Sequence, residues 1–148
     1  LPEDGLIDVA DFFENRLGDN EGDQVGTWEN ICLPWLGDYW PKAQERNTTR
    51  TSIALVQCLI KTGDAFPAAL QWAEEFLRPG TNHVLWRVQE SGVQQSWPAD
   101  TLKMLTIMIP ENIVENWNRH TLREMLDQMR EADQNIAQDQ RFQRLYRL

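Results

Sequence analysis

The sequence predicts an all-α fold: seven or eight short helices in antiparallel hairpins, set out as a HEAT-like array or an orthogonal bundle. Three observations predict it. Apolar residues recur at three- and four-residue spacing in most stretches between breakers. No stretch alternates apolar and polar residues over a strand's length. Prolines and glycines bound the periodic stretches, cutting the chain into pieces of roughly ten to fifteen residues, an ordinary helix length.

The first helix is expected over 6–17 (LIDVADFFENRL). Val9, Phe12, Phe13 and Leu17 fall on one side, Asp8, Asp11 and Glu14 on the other, and Gly18 ends it. Residues 18–26 read as an acidic loop without the ligand spacing of a calcium loop. Thr27 is expected to cap the next helix, whose face is Trp28, Ile31, Cys32, Trp35 and Tyr39. Pro34 sits inside that pattern and should kink or split it. Trp40-Pro41 closes the segment, and 42–50 is a polar linker. Asn47-Thr48-Thr49 matches a glycosylation acceptor but reads better as a helix cap.

A third helix is predicted over Thr51–Thr62, with Ile53, Leu55, Val56, Leu59 and Ile60 giving a face wide enough for burial on two sides, and Gly63 as its C-cap. The next helix lies in Asp64–Leu77. Pro67 suits a first helical turn and should hold Phe66 extended. Ala69, Leu70, Ala73, Phe76 and Leu77 make its face. These two helices should be antiparallel neighbours across a tight turn. Arg78-Pro79-Gly80-Thr81 stops the second. His83–Ser91 follows, carrying Val84, Leu85 and Val88 with Trp86 on another side, and Gly92 closes it.

Trp97-Pro98 opens a helix with Leu102, Leu105 and Ile109 on one stripe and Met104 and Met108 beside it; Pro110 ends it. Thr121 and Glu124 have capping-box spacing, ahead of a face of Leu122, Met125, Leu126 and Met129. The last helical segment, Asn135–Leu148, carries Ile136, Phe142, Leu145 and Tyr146. Phe66-Pro67-Ala68 and Trp97-Pro98-Ala99 have the look of a degenerate two-helix repeat.

A chain of 148 residues fits one domain and buries roughly 70% of its unfolded surface, so no metal or disulfide staple is required. Cys32 and Cys58 read as small buried hydrophobes of a reducing, cytoplasmic compartment. There is neither a signal peptide nor an apolar run of membrane-spanning length. The chain begins at Leu1 rather than Met, and reads as a fragment of a larger protein.

The net charge of −9 is uneven. Residues 1–40 hold ten acids against one base, Arg16; residues 41–148 hold thirteen of each sign. An acidic chain without a basic stripe argues against nucleic acid as its partner. Beyond solubility, such an end suits a basic partner surface.

Catalytic motifs are missing. His83 and His120 lie apart with no cysteine or second histidine at ligand spacing. No Gly-rich phosphate loop or nucleophile elbow is present. Glu74 and Glu75 are neighbours in sequence and so diverge by about 100° on a helix. No enzyme activity, cofactor or metal is expected. The seven tryptophans read mainly as core, with one or two left as interface anchors. The possible interface residues are Trp86, Trp117 and a basic–aromatic cluster of Arg141, Arg144 and Arg147 with Phe142 and Tyr146.

One resemblance covers most of the chain. Trp28, Pro34-Trp35, Tyr39-Trp40-Pro41-Lys42, Asp64–Leu70, Pro98, Leu102, Leu105 and Asp139–Leu145 resemble the C-terminal helical-repeat region of large multidomain bacterial proteins. Those proteins join a sirtuin-like or ATPase domain to a helical tail, and many are of anti-phage defence type. The resemblance implies a non-catalytic interaction or regulatory module, binding a protein partner or other domains of its own chain. It supplies no catalytic residues. The alternative is a ligand-sensing domain holding a nucleotide or small signal between helices.

Overall fold

A computed structural model of the protein describes residues 2–41, 48–80, 84–110 and 118–148. All regular structure among them is helical, as the sequence predicts. The chain divides into two compact units, Leu1–Arg78 and Pro79–Leu148.

In the first unit, α1 spans Glu3–Asp19, with Glu3 and Asp4 in its first turn, where the helix dipole favours acids. It buries Leu6, Ala10, Phe13 and Leu17, one residue per turn along a single seam. Phe12 lies outside that seam, contrary to the expected face.

The next segment is helical throughout: α2 (Gln24–Thr27), a π turn over Trp28–Cys32, then α3 (Leu33–Tyr39). Pro34 neither kinks nor splits it. Having no N–H, Pro34 cannot bond the carbonyl four residues back. The wider π turn absorbs the misfit: Leu33 N–H reaches the carbonyl of Trp28, five residues back. The cap is Asp23, not Thr27. Asp23 Oδ1 accepts the Gly26 N–H at 3.2 Å, while Thr27 is buried one turn inside. The inward stripe is Trp28, Cys32, Leu36 and Trp40.

Helix α4 (Thr49–Leu59) starts from a reciprocal cap, with Thr48 N–H bonding Thr51 Oγ1 at 2.8 Å and Thr51 N–H bonding Thr48 Oγ1 at 3.3 Å. The capping role expected near Asn47 thus falls to Thr48; Asn47 and the rest of 42–47 lie outside the described residues. Burial on two sides is as expected: α4 packs on α1 and on α5 (Phe66–Ala73). Arg50 ties the start of α4 to that of α1, its Nη1 2.6 Å from Glu3 Oε1 and its Nη2 3.5 Å from Asp4 Oδ1.

Gly63, at φ +57°, turns the chain into a 3-10 turn and then α5. Phe66 is helical (φ −53°, ψ −48°) rather than extended. A following proline disfavours that backbone without forbidding it, and the Phe66 ring gains complete burial there. The predicted face Ala69, Leu70, Ala73, Phe76 and Leu77 is buried in full. Ser52 Oγ accepts the Arg78 N–H at 3.0 Å, bringing the end of this segment back to the start of α4 as an antiparallel hairpin. Trp72 lies between Trp28 (centroids 5.9 Å apart) and Phe76 (5.3 Å).

The second unit contains α6 (Leu85–Ser91), α7 (Val93–Ser96), α8 (Pro98–Met108), α9 (Arg119–Ala132), a 3-10 turn over Gln134–Gln138, and α10 (Gln140–Tyr146). Gly92 at φ +79° separates α6 from α7. Gln94 of α7 is buried, and its Nε2 donates to the Gln89 carbonyl (2.9 Å) and to Gln128 Oε1 of α9 (2.8 Å). All four methionines are fully buried with Leu102, Leu105, Leu122 and Leu126, so they fill core. The capping box at Thr121 does not form. Helix α9 starts earlier, after Asn118 in a left-handed conformation (φ 58°), and Glu124 instead bonds Gln89 (2.8 Å) and pairs with His120 (2.8 Å). The two aromatic–proline steps also differ, since Trp97 has φ −136° and ψ 65° where Phe66 is helical.

Candidate interaction surface

Two of the misplaced aromatics meet at one place in the first unit. On α1, Asp8 and Phe12 form an i, i+4 stripe beside the buried seam. Beyond the π turn, Ile31, Trp35 and Tyr39 form a second i, i+4, i+8 stripe, next to the buried Trp28–Trp40 stripe. Between them lies an apolar cleft of about 480 Å³, lined by Asp8, Val9, Phe12, Phe13, Ile31 and Trp35. Phe12 is 59% exposed, Trp35 53% and Tyr39 39%. Trp35 stacks on Tyr39 with centroids 5.0 Å apart and planes 20° from parallel, and Phe12 meets Phe13 edge-on at 5.5 Å. The rings are therefore held in place before anything binds.

The first forty residues carry two apolar stripes where a core helix needs one. Periodicity identifies both without saying which will be covered. The available signal was surplus: Trp28, Ile31, Cys32, Trp35, Leu36, Tyr39 and Trp40 are too many apolar groups for one face of the segment. Acids flank the cleft. Asp8 lines it, Asp11 lies one turn along α1, and Asp38 precedes Tyr39. None of the three makes an ion pair among the described residues.

Of the possible interface residues read from sequence, Trp86 is exposed (45%), with the Arg87 guanidinium 5.4 Å from its ring centre. Trp117 lies outside the described residues. The arginine cluster is divided. Arg141 is clamped by Asp139 through Nε (3.1 Å) and Nη2 (2.9 Å), while Asp139 Oδ1 also caps α10 at the Arg141 N–H (2.8 Å). The hydrogen bond from Arg141 holds the Asp139 carboxyl below its ordinary range and raises Arg141 in return. Arg144 is half-buried, and its Nη1 has no hydrogen-bond partner.

Arg147 alone lines a cleft, of about 200 Å³, with Arg130, Ala137, Phe142, Gln143 and Tyr146. The Tyr146 ring centre lies 5.6 Å from the Arg123 guanidinium and 5.7 Å from that of Arg130, and its hydroxyl donates to Asp127 Oδ1 at 3.2 Å. Arg130 in turn pairs with Asp127 at 2.8 Å. These groups largely satisfy one another.

No group of three His, Cys, Asp or Glu side chains among the described residues could hold a metal ion. His120 is exposed, and His83 lies outside the described residues. Cys32 and Cys58 are buried free thiols. Burial pushes the Cys32 thiol up to about 11 against the opposing charge of Arg16, and burial raises Cys58 further, helped by Cys32 and Glu14. Neither is an activated nucleophile. Among the described residues no helix is long and apolar enough to cross a membrane. Comparisons with protein families, with curated proteins and with solved structures find no match for this chain.

Proposed function

We propose that this chain is a non-catalytic helical module for protein interaction, and that the cleft between α1 and α3 is its contact surface. One observation carries the reading. Three of the largest apolar side chains, Phe12, Trp35 and Tyr39, stand in water around a single concave site, although they could have contributed to a core. Aromatic residues in a preformed pocket are the usual anchors of protein interfaces. The resemblance to the helical tails of large bacterial defence-type proteins agrees with such a role. In that setting the module works in the cytoplasm, as the C-terminal, HEAT-like part of a longer chain, on a partner protein or on other domains of the same chain.

A ligand-sensing role has one supporting observation, a cleft volume in the range of small-molecule sites. Asp8 is its only charged lining residue, so an apolar molecule would suit it and a nucleotide would not.

The test uses Phe12→Ser and Trp35→Ser. Both replace exposed side chains and should change unfolding free energy in urea by no more than about 0.5 kcal/mol. Leu36→Ala, one residue from Trp35 but fully buried, should cost about 2–5 kcal/mol. A protein that co-purifies with the native chain should be lost from the two serine variants. Retention by both folded variants would overturn this reading.

A further inference from the structure

The proposed contact surface has a shape and a charge that specify its occupant. Ile31, Trp35 and Tyr39 are successive turns of one helix face, so the aromatic wall extends roughly 12 Å, the length of about two helical turns of a guest. The walls are helices, whose backbone groups are bonded internally, so no free strand edge is offered to an extended peptide. The guest must therefore present its own apolar side chains in a row, as an amphipathic helix does.

Charge narrows this further. Asp8, Asp11 and Asp38 border the cleft without partners among the described residues. The nearest stretch of chain, residues 1–40, has Arg16 as its only base, and Arg16 lies close enough to Cys32 to act on its titration. Arg50 is engaged by Glu3 and Asp4 at the start of α1. A cationic guest thus meets three uncompensated carboxylates, while an acidic guest is repelled. The same repulsion acts against a second copy of this chain seated through the same acidic rim.

We infer that the cleft binds a short basic amphipathic helix of a partner protein, with leucine-class side chains at i, i+3 or i+4 in the cleft and lysine or arginine on both flanks facing Asp8, Asp11 and Asp38. This rests on the cleft being a contact surface, and the experiment separates the two claims. The full chain is titrated with three labelled synthetic peptides of roughly 18 residues, about 27 Å as helix. One has leucines in helical register with lysines elsewhere. The second keeps the leucines and replaces lysine by glutamate. The third scrambles the first.

The basic amphipathic peptide should bind at least about tenfold more tightly than either control. Phe12→Ser and Trp35→Ser should each weaken it about tenfold or more. The triple variant Asp8→Asn, Asp11→Asn, Asp38→Asn should weaken it severalfold and flatten its dependence on salt between about 50 and 300 mM. Equal binding of the glutamate peptide, sensitive to Trp35→Ser, would overturn the basic guest and leave the contact surface standing. Binding indifferent to both aromatic substitutions would overturn both claims. Concentration-dependent self-association abolished by Phe12→Ser and Trp35→Ser would replace the guest by a second copy.

Discussion

Cys32 and Cys58 behave as small apolar residues because burial opposes their charged forms. The consequence for stability follows from the sign of the shift. A thiol raised in the folded state holds its proton where the unfolded thiol has lost it. Stability from this source is complete below the ordinary value of 9.0 and falls as pH rises from there towards about 11, the folded value at Cys32. The melting temperature should decline over that window, and less so in Cys32→Ala. A thiol reagent at pH 8 should label both cysteines slowly in the native chain and at once in denaturant. Fast native labelling would mean that these residues are not packed as described.

At the level of elements, glycine substitutions distinguish positions that look alike in sequence. Gly63 has φ +57°, and a Cβ there would collide with the Gln24 side chain, so Gly63→Ala should cost more than about 1 kcal/mol. Gly18 lies within α1 with open space around it, and Gly18→Ala should stabilise by about 0.5–1 kcal/mol. Urea unfolding of the two variants should move in opposite directions.

Helix α5 was legible because Gly63 and Pro67 punctuate its start and it carries a single apolar stripe. Helix α7 was not, since four residues are too few to show a period. The start of α9 was misread because Asn118 adopts a left-handed conformation ahead of the Thr121 signal. The cleft was invisible for a different reason. Spacing placed Phe12 and Trp35 on apolar faces, and only the packed structure shows that those faces are left uncovered. Of the arginines singled out from sequence, Arg141 had its partner two residues away. An Asx cap on the following N–H is a local signal that reading for clusters overlooks.

On the scale of the whole molecule, charge is divided between the units. Leu1–Arg78 holds fourteen acids and six bases, Pro79–Leu148 nine acids and eight bases. Repulsion within the first unit is long-ranged and exposed, and salt screens it over about 10 Å at 0.1 M. The exposed Arg50 bridges that salt also weakens contribute at most about 1 kcal/mol each. Melting temperature should therefore rise between low and moderate sodium chloride, and a fall would show that attractive pairs outweigh the excess of acids.

The π turn at Trp28–Cys32 fixes how much chain this region can lose. Surface loops tolerate single-residue deletions because their length is slack. Here there is no slack. Each helical residue advances the face by about 100°, so removing one residue from the turn would rotate everything after it. Leu36 and Trp40 would leave the core as Trp35 and Tyr39 left the cleft. The fold and its contact surface are thus set by the same count of residues, and a single deletion would forfeit both.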